Sequence, residues 1–153
     1  MIEVKFSVRA GQGEPSGFDL GDIFIEGEYG AAGSGGLVPD QGMMIYPSVT
    51  LLLDSLRTLF TGEKERTSFT GTETSFRVDF KLDRKGLVSV SKNGKLLGRS
   101  SLEDLSYAVL RSAQSFAEGS LSDLPAGDAV QNDYLSALRD LHTTTTRKHQ
   151  RRD

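Results

Sequence analysis

The chain has 153 residues with 18 Lys and Arg against 21 Asp and Glu, and it contains no Cys and no Trp. That length suits one domain with a real core; the missing Cys excludes a disulfide framework, a thiolate nucleophile and a His/Cys zinc site. No run of eighteen apolar residues is present to cross a membrane, and the N-terminus lacks the basic-then-apolar design of a signal peptide, so a cytoplasmic location is expected. The net charge of −3 hides a strong segmentation. Ala10 to Ser55 carries no Lys or Arg against seven acids, and Leu56 to Ser101 carries ten basic residues against five acids.

Ile2, Val4, Phe6 and Val8 alternate with Glu3, Lys5, Ser7 and Arg9, the period of a strand with one buried and one wet face. A loop rich in Gly leads to a second predicted strand, Ile23 to Tyr29, with Ile23, Ile25 and Tyr29 assigned to the core. Gly30 to Gly36 holds four glycines. It lacks the Gly-Lys-Ser/Thr ending of a P-loop and the strand and helix that bracket a dinucleotide fingerprint, so it reads as a flexible loop. Met43, Met44, Ile45 and Tyr46 form an apolar run within that loop region, a candidate for subunit contact or for capping the core. Ser48 is the expected N-cap of a helix over about 49–61, with Val49, Leu52, Leu53, Leu56, Leu59 and Phe60 on one stripe. Gly62 follows as the expected stop.

The clearest signals come next. After a polar segment with a short strand expected near Thr67–Thr70, Phe76, Val78, Phe80 and Leu82 alternate with Arg77, Asp79 and Lys81. Asp83-Arg-Lys-Gly86 makes a tight turn, and Asn93-Gly94 predicts a type I′ hairpin turn between further apolar alternations. Ser101-Leu-Glu-Asp104 matches the capping pattern at a helix start, and Leu102, Leu105, Val109, Ala113 and Phe116 form its inward stripe. A third helix is expected from about Asp128 to Leu141. Thr143 to Asp153 has no apolar period, so a disordered basic tail is expected beyond a single domain over 1–142. The fold class is α+β: an antiparallel sheet of about five strands, including a C-terminal three-strand meander, with two to three helices packed on one face.

Candidate chemistry is sparse. The two His, His142 and His149, lie at the end of the last helix and in the tail, so no Ser–His or His–carboxylate set can be built from the core. No catalytic residue, metal site or cofactor is read. The N-terminal carboxylates Asp19, Asp22, Glu26 and Glu28 are the candidate binding residues. They can meet a basic partner, hold a divalent cation through oxygen, supply an acid/base pair, or simply solubilise an exposed strand. The tail has no interleaved aromatics, so nucleic acid is not expected as a partner.

The order of Val49–Phe60, Ser75–Leu82, Leu87–Gly98 and Leu102–Phe116 resembles small single-domain bacterial α+β proteins, some of them immunity proteins of polymorphic toxin systems. The resemblance implies a non-enzymatic domain that binds a protein and transfers no functional residue. The expected function is therefore protein binding, with immunity-type inhibition of a basic toxin or enzyme as one form. The alternatives are a metal-dependent enzyme or small-ligand binder using the carboxylates, or a subunit of a larger assembly.

Overall fold

The computed structural model describes the backbone of residues 1–152 and the side chains of residues 1–147. Among the described residues the α+β class appears as eight strands in two antiparallel sheets of four, with three α-helices. The first sheet is β1 (Glu3–Val8), β2 (Leu20–Gly27) and β3 (Gly30–Gly33), with the short β4 (Met43–Met44) beside β3 on the same edge of β2. The second is β5 (Arg66–Thr70), β6 (Arg77–Leu82), β7 (Leu87–Lys92) and β8 (Lys95–Ser101), paired in chain order. The helices α1 (Ile45–Phe60) and α2 (Leu102–Gly119) pack against both sheets, and α3 (Ala129–Arg152) packs against α1 and α2.

Alternation built the first sheet as read. Val4, Ile23 and Ile25 are buried, while Glu3, Lys5, Phe24 and Glu26 face out. The second strand is offset from its expected span, however. It ends at Gly27, where the chain presses on β8: a Cβ at Gly27 would stand 2.4 Å from the Leu97 carbonyl oxygen. The Tyr29 N–H then donates to that carbonyl at 2.8 Å. Tyr29 therefore belongs to a turn and is exposed rather than in the core. The glycine-rich segment is also not a free loop. Gly30–Gly33 pairs with β2, and Gly33 sits under the Phe24 ring, which leaves room for little more than hydrogen.

Helix α1 starts earlier than the Ser48 cap implied. The Ile45 N–H donates to Asp19 O and the Met44 N–H to Thr72 O, each at 3.1 Å, so tertiary partners satisfy the helix entrance. Ser48 lies inside the first turn and is buried. Its hydroxyl donates to Met44 O at 2.7 Å and accepts from the Thr72 N–H at 2.9 Å. Pro47 is tolerated because first-turn N–H groups lack helical partners anyway. Met43, Ile45 and Tyr46 are buried and Met44 is half-buried, so most of that apolar run caps the core.

The meander follows the sequence closely. Asn93 and Gly94 both take positive φ, 52° and 78°, as a type I′ turn requires. The Ser101 hydroxyl accepts from the Asp104 N–H at 3.0 Å and caps α2. Phe116 on α2 gathers Phe6, Tyr46 and Tyr134 around it at ring separations of 5.4–6.4 Å. Tyr134 is fully buried, and its hydroxyl donates to Ala113 O. Helix α3 runs on through the threonines where a disordered tail was expected. The hydroxyls of Thr144, Thr145 and Thr146 donate to carbonyls four residues back at 2.7–2.9 Å. That back-bonding satisfies polar side chains without any apolar period. The side chains from Lys148 onward, which carry most of the tail's charge, lie outside the described residues.

Candidate functional site

Arg9 stands just beyond β1, where its N–H donates to Leu20 O at 3.0 Å. Its guanidinium grips two carboxylates. Nε and Nη2 donate to Asp22 at 3.0 and 2.9 Å, and Nη1 and Nη2 donate to Asp40 at 2.6 and 2.7 Å. Ser34 is buried beneath Asp22, donating to it at 2.7 Å and accepting from the Ile23 N–H at 3.1 Å. Hydrogen bonds from Arg9, and then from Ser34, hold the Asp22 carboxyl below the ordinary carboxylate value. Asp40 is held lower still by Arg9 and by the Gly42 N–H. The fork fits only because residue 42 is Gly: a Cβ there would lie 2.4 Å from the guanidinium carbon. Gln41, next to Asp40, is bonded through its carbonyl to the Thr74 hydroxyl and through its side chain to Lys92. The 34–42 segment is thus tied to both sheets.

The four predicted carboxylates are consequently not one site. Asp22 is committed to Arg9. Asp19 closes a turn, accepting the Ser16 N–H at 3.1 Å through its side chain. Glu26 lies on the outer face of the first sheet, and Glu28 follows in the β2–β3 turn, 3.8 Å from the N-terminal amine. Among the described residues no three His, Cys, Asp or Glu side chains gather as a metal would need. What the register does bring together is Glu26 with Glu3, directly opposite on β1. Sequence reasoning missed Glu3; the signal for it is the antiparallel pairing of β1 with β2, which alternation alone does not supply.

The same outer face is apolar between its charges. Leu20 and Phe24 follow each other along β2 on the side of Asp22 and Glu26, and both are exposed. Phe18 precedes them at 72 % exposure, Tyr29 ends the line at 57 %, and Leu37 and the fully exposed Val38 stand in the segment after β3. Large exposed apolar residues therefore crowd into residues 18–38, the stretch that also has no Lys or Arg.

A hollow of about 940 Å³ opens between α2 and α3, where Tyr107, Arg111, Glu118 and His142 are on the walls. Among the described residues no helix is long and apolar enough to cross a membrane. No family model matches the chain, and neither a curated protein nor a solved structure matches it.

Proposed function

We propose that the chain is a non-enzymatic cytoplasmic domain that holds a basic protein partner against the outer face of its first sheet. The observation that carries this reading is the exposed Leu20–Phe24 line, at one end of which Glu3 and Glu26 face each other, neither in an ion pair among the described residues. Like charges placed directly opposite on a sheet disfavour the folded state, and a cationic partner relieves that repulsion on contact. The acids steer association, and the aromatic and aliphatic side chains supply the desolvated anchor on which affinity depends. Asp19 and Asp22 support this face from within, through the turn and the Arg9 fork, and Glu26 and Glu28 meet the partner. Immunity-type inhibition of a cationic toxin or enzyme is a concrete form of this reading.

The protein encoded beside this one supplies the test. Its affinity, measured by calorimetry at low and at physiological salt, is expected to fall about tenfold or more with Phe24→Ala, the loss of one buried aromatic anchor. Joint Glu26→Lys and Glu28→Lys should weaken binding and flatten its salt dependence. If both variants bind as the parent does, the face is wrong; if the neighbour does not bind at all, the partner is wrong.

A further inference from the structure

The outer face of the second sheet carries the opposite charge. Register places Arg66 opposite Lys81, Lys81 opposite Ser89 and Ser89 opposite Arg99, so one row crosses all four strands. Their chain neighbours Phe80, Val88 and Val90 are buried, which turns this row to solvent. The β6–β7 turn adds two more cations, and Lys81, Arg84, Lys85, Leu87, Ser89 and Arg99 line a hollow of about 590 Å³. The carboxylate on its wall, Asp83, is turned into the backbone, accepting the N–H groups of Lys85 and Leu87 at 2.8 and 3.0 Å. The adjacent row is neutral within itself: Asp79 accepts from Arg77 at 2.9 Å and from the Ser68 hydroxyl at 2.6 Å. Among the described residues none of Arg66, Lys81, Arg84, Lys85 and Arg99 makes an ion pair. The directly opposed Arg66 and Lys81 cost stability; of the other cations, Lys85 and Arg99 feel the Asp83 carboxylate, whose oxygens the turn N–H groups already engage.

We propose that this hollow binds a compact small molecule carrying two or more phosphate groups. Planar guanidinium forks from Arg84 and Arg99 match phosphate oxygens two at a time, with Lys81 and Lys85 as point charges and Ser89 as a hydroxyl donor. Within the hollow the row from Lys81 to Arg99 spans two strand spacings, about 10 Å, which exceeds the reach of a single phosphate. The hollow's volume falls within the usual range for small-ligand sites. A protein would find no aromatic anchor here, since Phe69, Phe76 and Phe80 all face inward. A nucleic acid would find no base-stacking platform either, and a long polyanion would run off the patch onto a chain of net charge −3.

Inorganic tripolyphosphate is the probe, titrated into the full chain and followed by amide NMR at low and at physiological salt. The expected result is saturable shifts confined to residues 81–89 and the neighbourhood of Arg99, with orthophosphate binding more weakly. Arg99→Ala and Lys85→Ala should each weaken binding by about tenfold, the loss of a charge-assisted contact, with melting temperatures unchanged. Arg77→Ala, whose charge is already paired with Asp79, should bind as the parent does. Shifts that fail to saturate, an equal loss in Arg77→Ala, or tighter binding of a DNA oligonucleotide or an acidic peptide than of tripolyphosphate would each overturn the proposal.

Discussion

The two sheets are alike inside and opposite outside. Each has four antiparallel strands and buries one face against the helices. Each also sets a like-charged pair directly across two strands of its wet face, Glu3 with Glu26 in the first and Arg66 with Lys81 in the second. Burial explains the inner faces, because each fully buried Leu, Ile or Phe contributes roughly 1.5–3 kcal/mol. Nothing in folding explains the outer pairs, which disfavour the sheets that carry them. The first face adds exposed Phe24 and Leu20, which suit the protein contact proposed for it; the second adds hydroxyls and a basic hollow, which suit the proposed phosphate site.

The largest expected effect comes from breaking the junction that holds the two sheets in place. Gly27 and Gly98 meet backbone to backbone, with the ideal Cβ of Gly98 only 3.1 Å from the Gly27 Cα. Gly27→Ala should destabilise the chain by about 2–3 kcal/mol, as overpacking against rigid backbone does. A thermal melt should fall by roughly 6–10 °C for a chain of this size. A variant that melts with the parent would mean the sheets are not fixed by this contact.

Next comes the fork that anchors the first face. Arg9→Ala removes both bridges, and the half-buried Asp22 bridge alone should account for about 1–2 kcal/mol after solvent screening. The pH dependence has a definite sign. Asp22 and Asp40 have folded-state pKa values lowered below the ordinary 3.8. Their stabilisation is therefore complete above the unfolded value and is lost as pH falls below about 4 toward the folded values. The parent should lose stability through that acid window more steeply than Arg9→Ala, whose remaining slope comes from Asp79 and Asp83, also lowered, and from the Ser34 and Gly42 hydrogen bonds to Asp22 and Asp40. Parallel acid-denaturation curves for the two would show that the fork is not formed in solution.

How much of this was legible in the chain depends on whether the cause was local. The stretch from Phe76 to Phe116 was read almost residue by residue, because period-two alternation, Asn93-Gly94 and the Ser101 cap are each set by near neighbours. Strand β3 was missed because Gly and Ala have no pattern of their own and become a strand only by pairing with β2. The early start of α1 was missed because its entrance is satisfied by Asp19 and Thr72, distant in sequence. The helical threonines were missed because hydroxyl back-bonding leaves no hydrophobic trace. For the site, alternation did put Glu26 on a wet face. It said nothing of the Arg9 partner of Asp22, thirteen residues upstream, or of the cationic row that three registers assemble from four strands.

The smallest expected effect bears most directly on what separates the two faces. If the like-charged pairs are kept for partners rather than for the fold, reversing one member of each should stabilise the chain while weakening binding. Glu26→Lys places a cation opposite Glu3, and Lys81→Glu places an anion opposite Arg66; each should gain roughly 0.2–1 kcal/mol, the usual worth of an opposite-charge cross-strand pair. The losses should segregate by face: Glu26→Lys should weaken the protein partner and leave tripolyphosphate alone, and Lys81→Glu should do the reverse. Denaturant melts and the two binding assays on the same four proteins, parent, each single variant and the double, resolve this, and the two stability gains should add because the pairs share no partner. A loss of stability in either single variant would mean that the like charges are accommodated within the sheet itself, and the argument that their retention reflects binding would fail for that face.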